Sequence, residues 1–110
     1  MNIINRVQLT GNLGSKPEVK TFESGDKIAR FSLATHENYT NRKGETATDT
    51  QWHNVVLKGR LVEKSESLDK GSFVSVEGRL NHRAFVDKDG NKKHVTEIIA
   101  TDIVIHQKNN

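Results

Sequence analysis

The segment 50–61, Thr-Gln-Trp-His-Asn-Val-Val-Leu-Lys-Gly-Arg-Leu, constrains the fold most. It alternates and is rich in β-branched and aromatic residues, so 51–58 reads as a strand. Successive strand side chains point to opposite faces. One face carries Gln51, His53, Val55 and Leu57, and can be packed. The other carries Trp52, Asn54, Val56 and Lys58, which sets the only Trp beside an amide and a cation. A flat π surface next to a positive charge suits an unpaired base and its phosphate. Read alone, the same Trp52 is equally a core residue with one wet edge, and the rest of the chain has to decide.

A chain of 110 residues is enough for one domain with one core. With no Cys there is no disulfide framework, thiol nucleophile or thiolate metal site. No apolar run is long enough to cross a membrane, and Met1-Asn2-Ile3-Ile4-Asn5-Arg6 lacks the plan of a signal peptide. A cytoplasmic protein without a membrane partner is expected. The net charge of +3 and pI of about 9.3 permit a polyanion partner without requiring one. Only 33% of residues are hydrophobic, so the core is thin and help from oligomerisation is expected.

Taken in order, Val7, Leu9 and Gly11 alternate with Arg6, Gln8 and Thr10, predicting a first strand over about 4–13. The glycines of Gly11-Asn12-Leu13-Gly14 suit a bend or bulge at a barrel corner and, equally, an ordinary loop. A short strand at 19–22 and a turn at 24–27 lead to a strand at 28–35. There Ala29, Phe31 and Leu33 share one face, and Arg30, Ser32 and Ala34 the other. Residues 36–49 are polar and without periodicity, so a long loop is expected. It holds Tyr39, which has no apolar neighbour, followed by Arg42-Lys43-Gly44. After Gly59, the positions of Leu61, Val62, Ser65 and Leu68 fit one face of a short helix, with Gly71 as its stop. In 72–80, Val74, Val76, Gly78 and Leu80 form the core face. Phe73, Ser75, Glu77 and Arg79 point outward, and a large apolar side chain there on a thin-cored domain reads as a subunit contact. The strand runs on to Val86, and Asp87-Lys88-Asp89-Gly90-Asn91 is a hairpin turn. Its arms carry Arg83, Phe85, Lys88, Lys92, Lys93 and His94, too polar for a core. A last strand covers 97–105.

The five His, at 36, 53, 82, 94 and 106, show no metal-ligand spacing, so no metal and no cofactor are expected. Asp87-Lys88-Asp89-Gly90 resembles half a calcium loop, but no Glu follows at the required distance. An enzyme is not expected; the alternative is a nuclease using Asp87, Asp89 and Glu97. The order of elements fits an all-β, five-stranded Greek-key OB-fold barrel, with one short helix between strands three and four and an extended β-hairpin before strand five. A small SH3-like barrel is the alternative.

At these residues the chain resembles the bacterial single-stranded DNA-binding protein family over nearly its whole length. The matching strings are Asn5-Arg6-Val7-Gln8-Leu9-Thr10-Gly11-Asn12-Leu13-Gly14 with Pro17-Glu18-Val19, Phe31-Ser32-Leu33-Ala34-Thr35 and Trp52-His53-Asn54-Val55-Val56-Leu57. Lys70-Gly71-Ser72, Val76-Glu77-Gly78-Arg79-Leu80 and Asp87-Lys88-Asp89-Gly90-Asn91 continue them. Each string is weak alone; their order and spacing carry the resemblance. It implies an OB fold, a homotetramer, and binding of single-stranded DNA without strong sequence preference. The implied stacking residues are Tyr39, Trp52 and Phe85, with smaller rings at the first and last than the family's usual Trp. The family's further ring falls on Lys58. Arg6, Asn54, Arg60, Lys70 and Arg83 would line the DNA path together with Lys43 of the loop, and His53 would sit at a subunit interface. The other binding alternative is a primosomal or RNA-binding OB-fold protein. The family also carries a tail with an acidic tip that recruits replication and repair enzymes. Residues 1–107 are expected to be the domain and 108–110 the start of a missing or absent tail, so tail-dependent partners are not expected.

Overall fold

Six strands and one helical segment follow in the order β1 (Val7–Leu13), β2 (Glu18–Thr21), β3 (Lys27–Thr40), β4 (Thr46–Lys58), a 3-10 helix (Gly59–Ser67), β5 (Phe73–Val86) and β6 (Lys92–Ile105). They come from a computed structural model, which describes residues 2–106. The expected domain end and tail positions, 107–110, lie outside the described residues.

An open sheet leaves unpaired edges, and closing it removes them. Here β1 pairs with β5 over Val7 to Asn12 and with β3 at Asn12 and Leu13. The strands β3 and β4 pair along their length, as do β5 and β6, and a short parallel ladder of Asn54, Val55 and Val56 against Glu97, Ile98 and Ile99 joins β4 to β6. The circle β1-β3-β4-β6-β5-β1 is a closed five-stranded barrel, with β2 as an edge on β3. This is the expected Greek-key OB architecture. The bend expected at Gly11 is where β1 changes partner, and a Cβ there would run into the Ala34 carbonyl. The register slip falls elsewhere, between Glu77 and Gly78, where Glu77 faces Asp102 and Gly78 faces Ala100. Thr101 is the extra residue, so the bulge lies in β6 and shifts its inward file from Ile98 and Ala100 to Ile103.

The core is the alternate set that the pattern picks out: Phe31, Leu33, Val55, Leu57, Val74, Val76, Ile98 and Ile103, closed by Val62 and Leu68 from the helical segment. Each such aliphatic or aromatic side chain contributes roughly 1.5–3 kcal/mol when fully buried.

Three expectations are corrected. The first strand begins at Val7, not near Ile4, which is exposed. Asn5 instead pins the preceding segment, its amide donating to Leu80 O and its Oδ1 accepting from Leu80 N–H. The loop expected at 36–49 is a two-stranded ribbon: β3 and β4 stay paired out to Thr40 and Thr46, and only the turn between them is irregular. In that turn Asn41 Oδ1 accepts from the N–H groups of Lys43 and Glu45. The helix is 3-10 rather than α, and ends at Ser67, four residues before the expected Gly71. Ser65 and Ser67 donate to carbonyls three residues back, and the Leu68 N–H also reaches back three, to Ser65 O. Hydroxyls that bond nearby carbonyls compete with the α pattern. Gly71 sits in the next turn, its N–H bonding Leu13 O.

Candidate nucleic-acid interface

Directly opposed residues of neighbouring strands share a face, so the register alone lays out the outer wall. Trp52, Asn54, Val56 and Lys58 face Ala34, Ser32, Arg30 and Ile28 of β3. Asn54 and Val56 face Glu97 and Ile99 of β6. Those residues lie beside Asn81 and Arg79, and one and two further paired steps along the hairpin come Arg83 and Phe85. Trp52, Lys58, Arg83 and Phe85 therefore belong to one continuous sheet face, as the alternation predicts for Trp52 and Lys58.

Trp52 is 62% exposed although its strand is central, which removes the core reading. Its ring leans on Gly14, where an added Cβ would stand 2.5 Å from Cζ3. Only glycine lets the turn after β1 approach the indole that closely. Phe85 is 42% exposed, and the Arg83 guanidinium lies 5.5 Å from its ring centroid.

At the Lys58 end of this wall lies a groove of about 600 Å³ lined by Phe22, Arg30, Val56, Lys58, Arg83 and Glu97. A second recess of about 320 Å³ shares Arg30, Val56, Arg83 and Glu97 and extends to Asn54. Glu97 is buried at its floor. Arg83 Nε donates to Glu97 Oε1 at 3.1 Å and Asn81 Nδ2 to the same oxygen at 3.3 Å. A buried carboxylate needs such a cation. Lys58, Arg30, Arg60, Lys43 and Lys70 have no carboxylate partner among the described residues. Lys27, Arg30, Lys58 and Arg83 line the groove against Asp26 and the paired Glu97, so its cations outnumber its carboxylates.

The other residues singled out from sequence lie around this wall or away from it. Arg60 is the second residue of the 3-10 helix, just past Lys58 and Gly59. Lys70 precedes Gly71, whose bond to Leu13 places it one residue from the glycine under Trp52. Tyr39 is 53% exposed on the ribbon, but opposite Ala47. Its strand position puts it on the side continuous with Leu33 and Thr35, not on the Trp52 side. Lys43 is in the turn at the ribbon tip. Arg6 lies just before β1, its Nε 2.9 Å from Glu77 Oε1. The Glu77 carboxyl is held below its ordinary value, first by the Gln8 amide and then by Arg6. His53 is half-buried at the barrel rim and shares a 2.9 Å hydrogen bond with Thr35 Oγ1. Phe73 is 42% exposed on the β1–β5 wall, 5.1 Å from the His106 ring centroid. The hairpin tip separates the residues of the nuclease alternative. Asp87 closes the turn, whereas Glu97 pairs with Asn81, five register steps down the ribbon.

Sequence reasoning did not single out Arg30, Phe22 or Glu97 as groove residues. Arg30 was legible as the cation of the outward file of its strand. Glu97 reads as an ordinary polar strand residue, and only the β4–β6 ladder shows it buried.

Residues 4–106 match the family model described as "Single-strand binding protein family". The chain is 41% identical over 102 residues to the "Single-stranded DNA-binding protein 1" of Chlorobaculum tepidum, covering 91% of this chain and 63% of that protein. Among solved structures it is similar to a Plasmodium falciparum SSB in complex with ssDNA, with TM-score 0.86, 34% identity, and coverage of 97% and 98% of the two chains. It also resembles a deletion mutant of the single-stranded DNA binding protein from Thermus aquaticus, with TM-score 0.81, 32% identity, and coverage of 94% of this chain and 51% of that one.

Proposed function

The chain belongs to the single-strand binding protein family, and from that premise we propose that it binds single-stranded DNA without strong sequence preference and does no chemistry on it. The observation that carries this is the 62% exposed Trp52 on the same sheet face as Phe85 and the groove cations. Lys58, Arg30, Arg60 and Arg83 draw in the phosphates, releasing counterions. Unpaired bases then stack on Trp52 and Phe85, each stack worth roughly 1–3 kcal/mol. Asn54 supplies an amide between the rings. Lys43 at the ribbon tip and Lys70 beside the turn under Trp52 would add phosphate contacts. Tyr39, on the other side of the ribbon, and Arg6, paired with Glu77 on the β1–β5 wall, would be met only by a strand that wraps round the barrel. Duplex DNA is rejected because its bases are already stacked and occupied. The unit that binds is the OB domain, residues 1–107, acting in the cytoplasm during replication, recombination and repair.

The assembly is a homotetramer, with Phe73 and His53 at subunit contacts. Phe73 supports this as an exposed ring on the wall away from the groove. The test pairs labelled single strands and duplexes of equal length with a light-scattering mass. Binding confined to the single strand, by a particle of four chains, is expected. Equal affinity for duplex would sink the binding reading, and a monomer at micromolar concentration would sink the assembly.

A further inference from the structure

Phe22 lies one residue past β2, at the start of the turn into β3. The structure leaves it 41% exposed, lining the same groove as Lys58 and Arg83. Its backbone closes the β2–β3 turn: Phe22 N–H donates to Asp26 O, and Gly25 N–H to Phe22 O. The Lys20 ammonium lies 5.3 Å from the ring centroid. On the far strand of this wall, Arg83 stands 5.5 Å from Phe85. Both are cation–ring pairs two residues apart. Lys20 lies opposite Ile28, which lies opposite Lys58, so Lys20 shares the outer face of Lys58, and Phe22 lines the groove there. In the sheet order β3, β4 and β6 lie between β2 and β5, so the two cation–ring pairs flank the groove. The groove floor of Val56 and Glu97 lies between the two pairs.

We propose that Phe22 is a stacking platform for an unpaired base at the Lys58 end of the groove, with Lys20 as the cation for the adjoining phosphate. This rests on the single-stranded DNA reading above. The turn after β2 thus sets a ring in the same groove as the Lys58 ammonium. A ring and an ammonium at one site give a base contact and a charge contact together, which Lys58 alone does not.

The test follows binding of a dT oligonucleotide to wild type, Phe22→Ala and Phe22→Leu. Both variants weaken binding by about tenfold, because a leucine fills the space but offers no π face. Wild-type affinity in Phe22→Leu overturns the proposal, since it assigns the residue to packing. A second arm does not depend on those variants. In Trp52→Phe, which removes the only native Trp, Phe22→Trp introduces a reporter whose emission is quenched by the oligonucleotide. A third uses wild type: 5-iododeoxyuridine DNA cross-links to the peptide holding Phe22. No quenching and no cross-link at Phe22 overturn the proposal. Quenching of Trp52 in wild type keeps that result separate from a failure of DNA binding itself.

Discussion

Two arginine–glutamate pairs of almost equal length sit on opposite parts of the barrel wall, Arg6–Glu77 at 2.9 Å and Arg83–Glu97 at 3.1 Å. The glutamate side chain is 38% exposed in the first and 6% in the second. On the β1–β5 wall the polar groups satisfy one another: Gln8 and Arg6 meet Glu77, Thr10 meets Ser75, and Ser75 meets His106. On the groove wall a single buried carboxylate is matched, and the surrounding cations lack carboxylate partners among the described residues. One contact distance thus serves two ends. An exposed pair is worth about 0–1 kcal/mol. A buried one fixes an arginine in place, because the carboxylate beneath cannot be left alone.

The comparison breaks first at Arg83. Arg83→Ala leaves Glu97 buried without its cation. A fully buried pair loses about 3–5 kcal/mol on such a change. Arg83 itself is 39% exposed, so about 2 kcal/mol is expected here, read from denaturant midpoints, along with weaker binding of single strands. Arg6→Ala should cost less than about 1 kcal/mol; equal losses would erase the distinction between the walls. Next in size, Trp52→Ala should cost roughly 1–3 kcal/mol of binding while leaving the unfolding midpoint nearly unchanged. Parallel losses in both would make the ring a packing residue. Smaller again, Lys58→Phe should reduce the salt slope of binding by about 0.7 and hold affinity better at high salt. An unchanged slope would leave the electrostatics to Arg30, Arg60 and Arg83.

The smallest effect is on the self-satisfied wall. Glu77 has its folded pKa depressed, first by Gln8 and then by Arg6. Its contribution is therefore present above the unfolded carboxyl value of about 4.3 and is lost as pH falls through the lower folded value. Glu77→Gln should slightly lower stability near neutrality and converge on wild type as pH falls through the folded Glu77 value, which flattens the acid limb. A difference of the same size at neutral and acid pH would contradict this assignment.

The barrel was legible because its strands each bury one face, and burial writes alternation into Phe31–Leu33, Val55–Leu57 and Val74–Val76. The ribbon beyond Thr35 was not, because it buries neither face and so has no apolar period to read. Its remaining sign was the run Thr46, Thr48, Thr50, β-branched at strand spacing. The 3-10 segment shows its buried residues at helical spacing, but its hydroxyl bonds to carbonyls three back are visible only in the fold. Trp52 and Lys58 were legible as one face from spacing alone. Joining them to Arg83 and Phe85 needed the parallel β4–β6 ladder, a pairing between segments some forty residues apart that local pattern cannot show. Tyr39 shows the converse. Its exposed ring was legible, but the side of the ribbon it occupies was set by pairing opposite Ala47.

The groove wall is proposed to take up single-stranded DNA through Trp52. Titrating the wild-type protein with a dT oligonucleotide while following its only Trp tests this most directly. Strong, saturable quenching that weakens as salt rises is expected. Emission unchanged at a DNA concentration where binding is complete by an independent measure would place the site elsewhere on the barrel.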